Sequence, residues 1–256
     1  MDLGLRGKKA LVTGASSGIG RATALALAAE GVSVALSARR EALLEEATGV
    51  IRHTGGIAFA LPADITDPAT PASIVREAYE RLGALDILVN SAGGSRSGSI
   101  TEVSDDDWEY HFQLKLMGIV RFIRAAASHI TQPGGVIINI AGGSGERPSP
   151  NSIVNSVVNA AVIALTRAVA AGFSRQGVRV VAVNPGLTDT PLLDQIIAER
   201  ATESRADAAR VREKMLAAAP LGRFTTPQDV ARSIAFIVSP VAGRLSGGAI
   251  DLGGPR

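Results

Sequence analysis

From Lys9 to Gly253 the chain alternates short apolar runs with longer stretches of helical periodicity, and this alternation limits its fold more than any other feature. The runs are KALVT (9–13), VSVALSA (32–38), IAFAL (57–61), LDILVN (85–90), GVIINIA (135–141), VRVVAVN (178–184) and a last one within GAIDLG (248–253). Most are apolar at nearly every position, whereas a half-exposed strand alternates apolar and polar residues. Helical patterns fill the intervals at about 19–30, 41–53, 68–82, 105–130, 152–175 and 227–239. Strands buried on both faces and separated by helices predict an α/β fold, a parallel sheet with helices on each side. No linker-like composition divides the 256 residues, so one domain is expected over 1–256. One stretch departs from the pattern. Residues 187–222 follow a strand and are polar, rich in Arg, Glu, Asp and Ala. An insertion at the carboxyl edge of a sheet is where a lid over a ligand sits, and a solvated helical pair has the same composition.

Several function classes are disfavoured at once. There is no cysteine, hence no thiolate chemistry and no disulfide. The sequence pI is about 9.3, but the formal net charge is only +2 and 24 acids are interspersed. Basic residues cluster only in pairs such as Lys8-Lys9 and Arg39-Arg40, not in the concentrated stripe that a nucleic-acid backbone requires. His53, His111 and His129 lack metal-ligand spacing, so no metal is expected. No uninterrupted apolar run reaches the roughly 18 residues of a membrane span, and MDLGLRGKKALVTG lacks the regions of a signal peptide. The expectation is a cytoplasmic protein with neither nucleic acid nor membrane as partner.

The first strand runs into LVTGASSGIGRATALALAAEG, with Gly14, Gly18 and Gly20 at the start of the following helix. Glycines there permit a tight turn, close approach to a pyrophosphate and close helix–strand packing. The helix start then offers free N–H groups and a positive dipole end to the phosphates. The Gly-Lys-Ser/Thr ending of a triphosphate-binding loop is absent, so a dinucleotide is favoured over ATP or GTP. The second strand ends LSARRE. An acidic residue at that point selects the 2′-hydroxyl of NAD, but this chain has Ala38 followed by Arg39 and Arg40. Guanidinium groups suit a 2′-phosphate, which predicts a preference for NADP over NAD.

These segments and several later ones resemble the short-chain dehydrogenase/reductase family along the whole chain. TGASSGIG (13–20), with Ser16, Ser17 and Ile19, is similar to that family's cofactor loop, and PADITD, with Asp64 and Ile65, to its adenine-contacting stretch. NSAGG (90–94), with Asn90, Ala92 and Gly93, stands where the family has Asn-Asn-Ala-Gly. NPGLTDTPL (184–192), with Pro185, Gly186, Thr188 and Thr190, resembles the segment that holds the nicotinamide, and LSGGAIDLGG resembles the last strand and turn. The resemblance implies a single Rossmann-like, doubly wound domain with a seven-stranded parallel sheet. It further implies NADP-dependent oxidation or reduction of a small alcohol or carbonyl, and a homodimer or homotetramer packed through 105–130 and 152–170.

The resemblance also exposes a difference at the chemical centre. Family members use a Ser, a Tyr-x-x-x-Lys pair and an Asn on the preceding long helix. Alignment puts Gly142 at the Ser position, Asn155 at Tyr, Asn159 at Lys and Lys115 at Asn. An amide has no titratable proton near neutrality, so Asn155 cannot serve as general acid. Of the two tyrosines, Tyr79 and Tyr110, the second lies five residues before Lys115, about 140° round a regular helix. Lys115 and Asn159 exchange the ammonium and the amide between two helices, so the site keeps its positive charge. Lys115 is one of only four lysines among 26 basic residues, and a lysine's pKa shifts readily on burial. The expectation is a catalytic group of Lys115, Asn155, Asn159 and Ser144, the last a substitute hydroxyl two positions after Gly142. A cofactor-binding protein without turnover and a non-redox enzyme with a structural cofactor are the alternatives.

Overall fold

In the computed structural model, which describes residues 1–254, all seven apolar runs form strands: β1 (Lys9–Thr13), β2 (Ser33–Ala38), β3 (Ala58–Pro62), β4 (Ile87–Asn90), β5 (Val136–Ile140), β6 (Arg179–Asn184) and β7 (Ala249–Asp251). They make one sheet in the order β3-β2-β1-β4-β5-β6-β7, every pair parallel. The period of two sorts the side chains between two cores. Ala10 and Val12 of β1, Val34 and Leu36 of β2, and Val181 and Val183 of β6 enter one core. Leu11, Ala35, Val180 and Ala182 enter the other.

The first core is closed by α1 (Gly18–Ala29), α2 (Glu41–His53) and α9 (Pro227–Val238), through Leu27, Leu44 and Ile234 among others. The second is closed by α3 (Thr70–Leu82), the segment from α4 (Asp105–His111) through a π-helical turn (Phe112–Met117) to α5 (Gly118–Ala126), and α6 (Ile153–Phe173). The chain order reverses between β1 and β4, and a crevice opens there at the carboxyl ends of the strands.

Two elements differ from expectation. The 105–130 pattern is not one regular helix. Ser104 and Asp107 form a reciprocal capping box that starts α4, and the i→i+5 turn at 112–117 then changes the direction of the side chains after it. The second difference is α6. Length and composition alone would let Ile153–Gln176 cross a membrane, contrary to the reading of the sequence. Here the helix packs into the second core through Val162, Ile163 and Ala170 and also buries Val154, Val158, Ser156, Asn159 and Thr166.

The 187–222 insertion folds as a helical pair, α7 (Pro191–Ser204) and α8 (Ala208–Ala217), around a small core of Leu193, Ile197, Met215 and Phe224. Arg212 of α8 binds Asp189 and Asp194 at 2.6 and 3.1 Å, and Asp207 caps α8 through the N–H groups of Ala209 and Arg210.

Candidate active site

The carboxyl ends of the strands, the glycine turn and α7 together line one open cavity of about 550 Å³. At one end the β1–α1 turn lies against the loop after β4. Gly14 has φ of +65°, and a Cβ there would sit 2.8 Å from backbone atoms of Ser91 and Ala92; a Cβ on Gly20 would overlap the carbonyl oxygen of Gly14. Thr13 Oγ1 holds the facing loop by accepting the N–H groups of Ser91 (3.0 Å) and Ala92 (3.3 Å). The start of α1 has no side-chain cap; the Ser17 hydroxyl instead accepts Arg40 Nη2 at 2.7 Å, and Ser16 accepts the same nitrogen at 3.1 Å. A helix start left open at the bottom of a cradle that any Cβ would fill fits a pyrophosphate.

Arg39 and Arg40 stand exposed on the adenosine side. Asp64 faces them, its carboxyl held below the usual range first by the Thr66 N–H, then by the Thr66 hydroxyl, with a smaller contribution from the Arg39 charge. On the other wall, Gly186 at φ +68° lies so close to Leu252 that a Cβ would be 2.8 Å from its carbonyl oxygen. Thr188 donates to the Pro185 carbonyl at 3.3 Å and Thr190 to the Thr188 carbonyl at 3.2 Å.

Of the residues expected to hold a cofactor, all line this cavity except Asn90. Asn90 lies beneath it, buried, donating to Asn139 Oδ1 at 2.9 Å; Asn139 in turn donates to Thr166 at 2.9 Å. It joins β4, β5 and α6 under the site and does not form part of its wall.

Lys115, Asn155, Asn159 and Ser144 also line the cavity, but in two separate arrangements. Lys115 Nζ donates to Asn159 Oδ1 at 2.6 Å and to the Ala141 carbonyl at 3.0 Å. Asn159 Nδ2 donates to Ser144 Oγ at 3.0 Å, completing a short chain from ammonium through amide to hydroxyl. An ammonium has three protons, so one is left for the cavity. Burial pushes the Lys115 pKa down to about 8. The π-helical turn is what aims this side chain inward; Tyr110, before the turn, remains 44% exposed and contributes nothing to the site.

Gly142 makes the amide's position possible, since a Cβ on it would lie 2.6 Å from Asn159 Nδ2. Asn155 is engaged elsewhere. Its Nδ2 contacts Ser95 Oγ (2.8 Å), Ser152 Oγ (2.7 Å) and the Arg96 carbonyl (3.1 Å), and its Oδ1 accepts the Arg96 N–H at 3.2 Å. With every polar atom occupied, this side chain fastens the loop after β4 to α6, and the expected catalytic role does not fit it.

The sequence placed 187–222 as a lid over the ligand but did not single out Leu192, Ile196 and Arg200 of α7, nor Arg147 and Arg223, all of which face the cavity. The signal was present in the four-residue spacing of 192, 196 and 200.

The same architecture recurs in characterised proteins. A family model described as enoyl-(acyl carrier protein) reductase matches residues 14–254. The 4-formylbenzenesulfonate dehydrogenase of Comamonas testosteroni is 33% identical, covering 99% of each chain. The 3-oxoacyl-(acyl-carrier-protein) reductase of Staphylococcus aureus is 32% identical over 96% of this chain and 97% of its own. Among solved structures, L-sorbose reductase from Gluconobacter frateurii, complexed with NADPH and L-sorbose, superposes with a TM-score of 0.90 at 30% identity, covering 99% of this chain and 98% of that one. A short-chain dehydrogenase from Burkholderia cenocepacia in complex with NADP superposes at 0.87 with 30% identity, over 97% of each chain. An open helix start above a Cβ-free cradle, an all-parallel sheet of this strand order and relatives matched from end to end lead to one assignment: the chain belongs to the short-chain dehydrogenase/reductase family of oxidoreductases.

Proposed function

We propose that the protein is an NADP(H)-dependent oxidoreductase of a small carbonyl or alcohol, with Lys115 as its proton donor and acceptor. The observation that carries this reading is the Lys115 ammonium, held by Asn159 and the Ala141 carbonyl in the cavity wall with one proton to spare. When bound, the nicotinamide supplies or accepts the hydride at the substrate carbon. The protein's own part is to hold the substrate and to move the proton. Lys115 hydrogen-bonds the carbonyl oxygen and transfers its free proton as negative charge develops there. Asn159 keeps the resulting neutral amine in place, and Ser144 orients Asn159. In alcohol oxidation the neutral amine takes the hydroxyl proton. A pKa of about 8 suits both directions. The test is NADPH oxidation measured across a panel of aldehydes and ketones. Turnover of at least one class is expected; NADPH binding with no turnover anywhere would leave a cofactor-binding protein without catalysis.

The preference for NADP rests on Ala38, Arg39 and Arg40. With no acid at 38 to receive a 2′-hydroxyl, Arg40 bonded to Ser16 and Ser17 and Arg39 exposed in the same cavity, NADPH is expected to bind roughly ten- to a hundredfold more tightly than NADH. Replacing Arg39 and Arg40 together with Ala should remove most of that margin. Calorimetric titration of both cofactors decides it, and equal affinities for the native protein would refute the preference.

We also infer that the 187–222 helical pair serves as the lid over the substrate, and that the protein works as a homodimer or homotetramer. The outer faces of α6 and α4 leave Val157 and Tyr110 at 43% and 44% exposure, apolar surface suited to a second copy. Light scattering at micromolar concentration should give a multiple of the 26.3 kDa chain mass, and a monomer would contradict this.

A further inference from the structure

The cavity wall formed by α7 has an uneven chemical character. Leu192, Ile196 and Arg200 all face the cavity, and at four-residue intervals they form one stripe along the helix. Its first two members are apolar. The third places a half-buried guanidinium about 12 Å further along the axis than Leu192, at 1.5 Å per residue. Neighbouring side chains turn away: Ile197 enters the small lid core, and Glu199 accepts Gln195 Nε2 at 2.9 Å.

Glu199, next to Arg200, is among the charges that act on His111 of α4, after burial and the charges of Asp107, Lys115 and Arg96. Two other arginines of the cavity are matched already, Arg147 with Asp251 at 3.7 Å and Arg223 with Asp229 at 2.8 Å. Among the described side chains Arg200 makes no ion pair. Among the described residues that line the cavity, the acids are Asp64 and Asp251, against Lys115 and five arginines.

We propose that the substrate carries an anionic group at the end of an apolar body, and that Arg200 binds this oxyanion while Lys115 meets the carbonyl or hydroxyl oxygen. A carboxylate, sulfonate or phosphate presents two oxygens to a guanidinium fork, the pairing for which arginine is best suited. Leu192 and Ile196, on the same stripe, offer apolar surface to the body. The inference rests on the redox reading for the reaction at the oxygen-bearing carbon, but the anion subsite is measurable by binding alone.

The experiment uses a series of ω-hydroxy carboxylic acids of increasing chain length and the corresponding carboxamides. Each is titrated calorimetrically into the full chain loaded with NADPH, where no reaction follows, and then offered with NADP as a substrate for oxidation. The acid is expected to bind about tenfold or more tightly than its amide at the best chain length. Arg200→Gln should bring the two within about twofold of each other, and Arg200→Lys should keep part of the difference. Equal binding of acid and amide by the native protein overturns the proposal, as does a preference that survives Arg200→Gln. An equal loss of NADPH affinity in Arg200→Gln also overturns it, because the anion met by Arg200 is then the cofactor's. An Arg200-dependent preference without oxidation of any alcohol upholds the anion subsite and rejects the redox reading. Oxidation of acid and amide alike, without preference, does the reverse.

Discussion

Lys115→Met is expected to lower kcat/KM by about 10²–10⁴-fold, the usual contribution of a positioned acid or base, while NADPH binding and the circular dichroism spectrum stay near native. Methionine keeps the length of the side chain and removes its protons. Lys115→Arg should be impaired almost as severely, since guanidinium does not release a proton in the working range. The native pH profile should show the same group. Carbonyl reduction needs the ammonium and is expected to fall as pH rises through about 8, whereas alcohol oxidation needs the amine and should rise through the same point. If the Met variant keeps more than a tenth of native activity, Lys115 is not the proton donor.

The same residue carries a stability signature with a definite sign. Its folded pKa of about 8 lies below the ordinary value of 10.5, so between these two values the unfolded chain binds more protons than the folded one. Stability must therefore rise with pH across that window as far as this group is concerned, and below pH 8 the burial of the ammonium is a constant cost. Denaturant titrations at several pH values should show the slope in the native protein and its loss in Lys115→Met.

The second large effect is expected at Gly14. Alanine there must adopt φ of +65° and push its Cβ to 2.8 Å from three backbone atoms of Ser91 and Ala92. Neither the β1–α1 turn nor the loop that Thr13 holds can yield without separating the two walls of the cradle. Gly14→Ala should cost roughly 2–5 kcal/mol of stability. Because a displacement of about 1 Å in a positioned group can cost 10²-fold, cofactor affinity should fall by a comparable factor. Gly49→Ala is the control. That glycine lies inside α2 with nothing within 4 Å of its would-be Cβ, and alanine there should stabilise the helix by roughly 0.5–1 kcal/mol. Chemical denaturation and cofactor titration of the pair separate the two effects; a Gly14→Ala protein that binds NADPH normally would refute the steric account.

The sheet and the cofactor half were legible because both are written in short local patterns. All seven apolar runs became strands, with ends displaced by at most two residues, because a strand covered on both faces needs apolar side chains in either direction. The glycine turn was legible for an equally local reason. What escaped depends on distant partners. Asn155 reads like a member of the catalytic group until Ser95 and Arg96, some 60 positions earlier, are seen to occupy its amide. Asn90 lies within a cofactor motif yet turns inward to Asn139, on a neighbouring strand. The π-helical turn before α5 has no composition of its own, so a regular helix was the natural reading of 105–130. The sequence favours Arg39 as the partner of a 2′-phosphate, and only the folded chain shows that Arg40 is the one anchored to the serine hydroxyls.

The contact between Gly142 and Asn159 has a consequence for how such a site can change over generations. The amide fills the space that any side chain at 142 would need, and Lys115 and Ser144 hold it there from two sides. A serine introduced at 142 in this background meets a tethered amide, and a lysine introduced at 159 brings a second ammonium up against Lys115. Either change made alone sets a new side chain against Asn159 or Lys115, so its cost depends on which residues already stand at the other positions. The residues at 115, 142 and 159 are therefore coupled, and the effect of a substitution at one depends on the residues present at the other two.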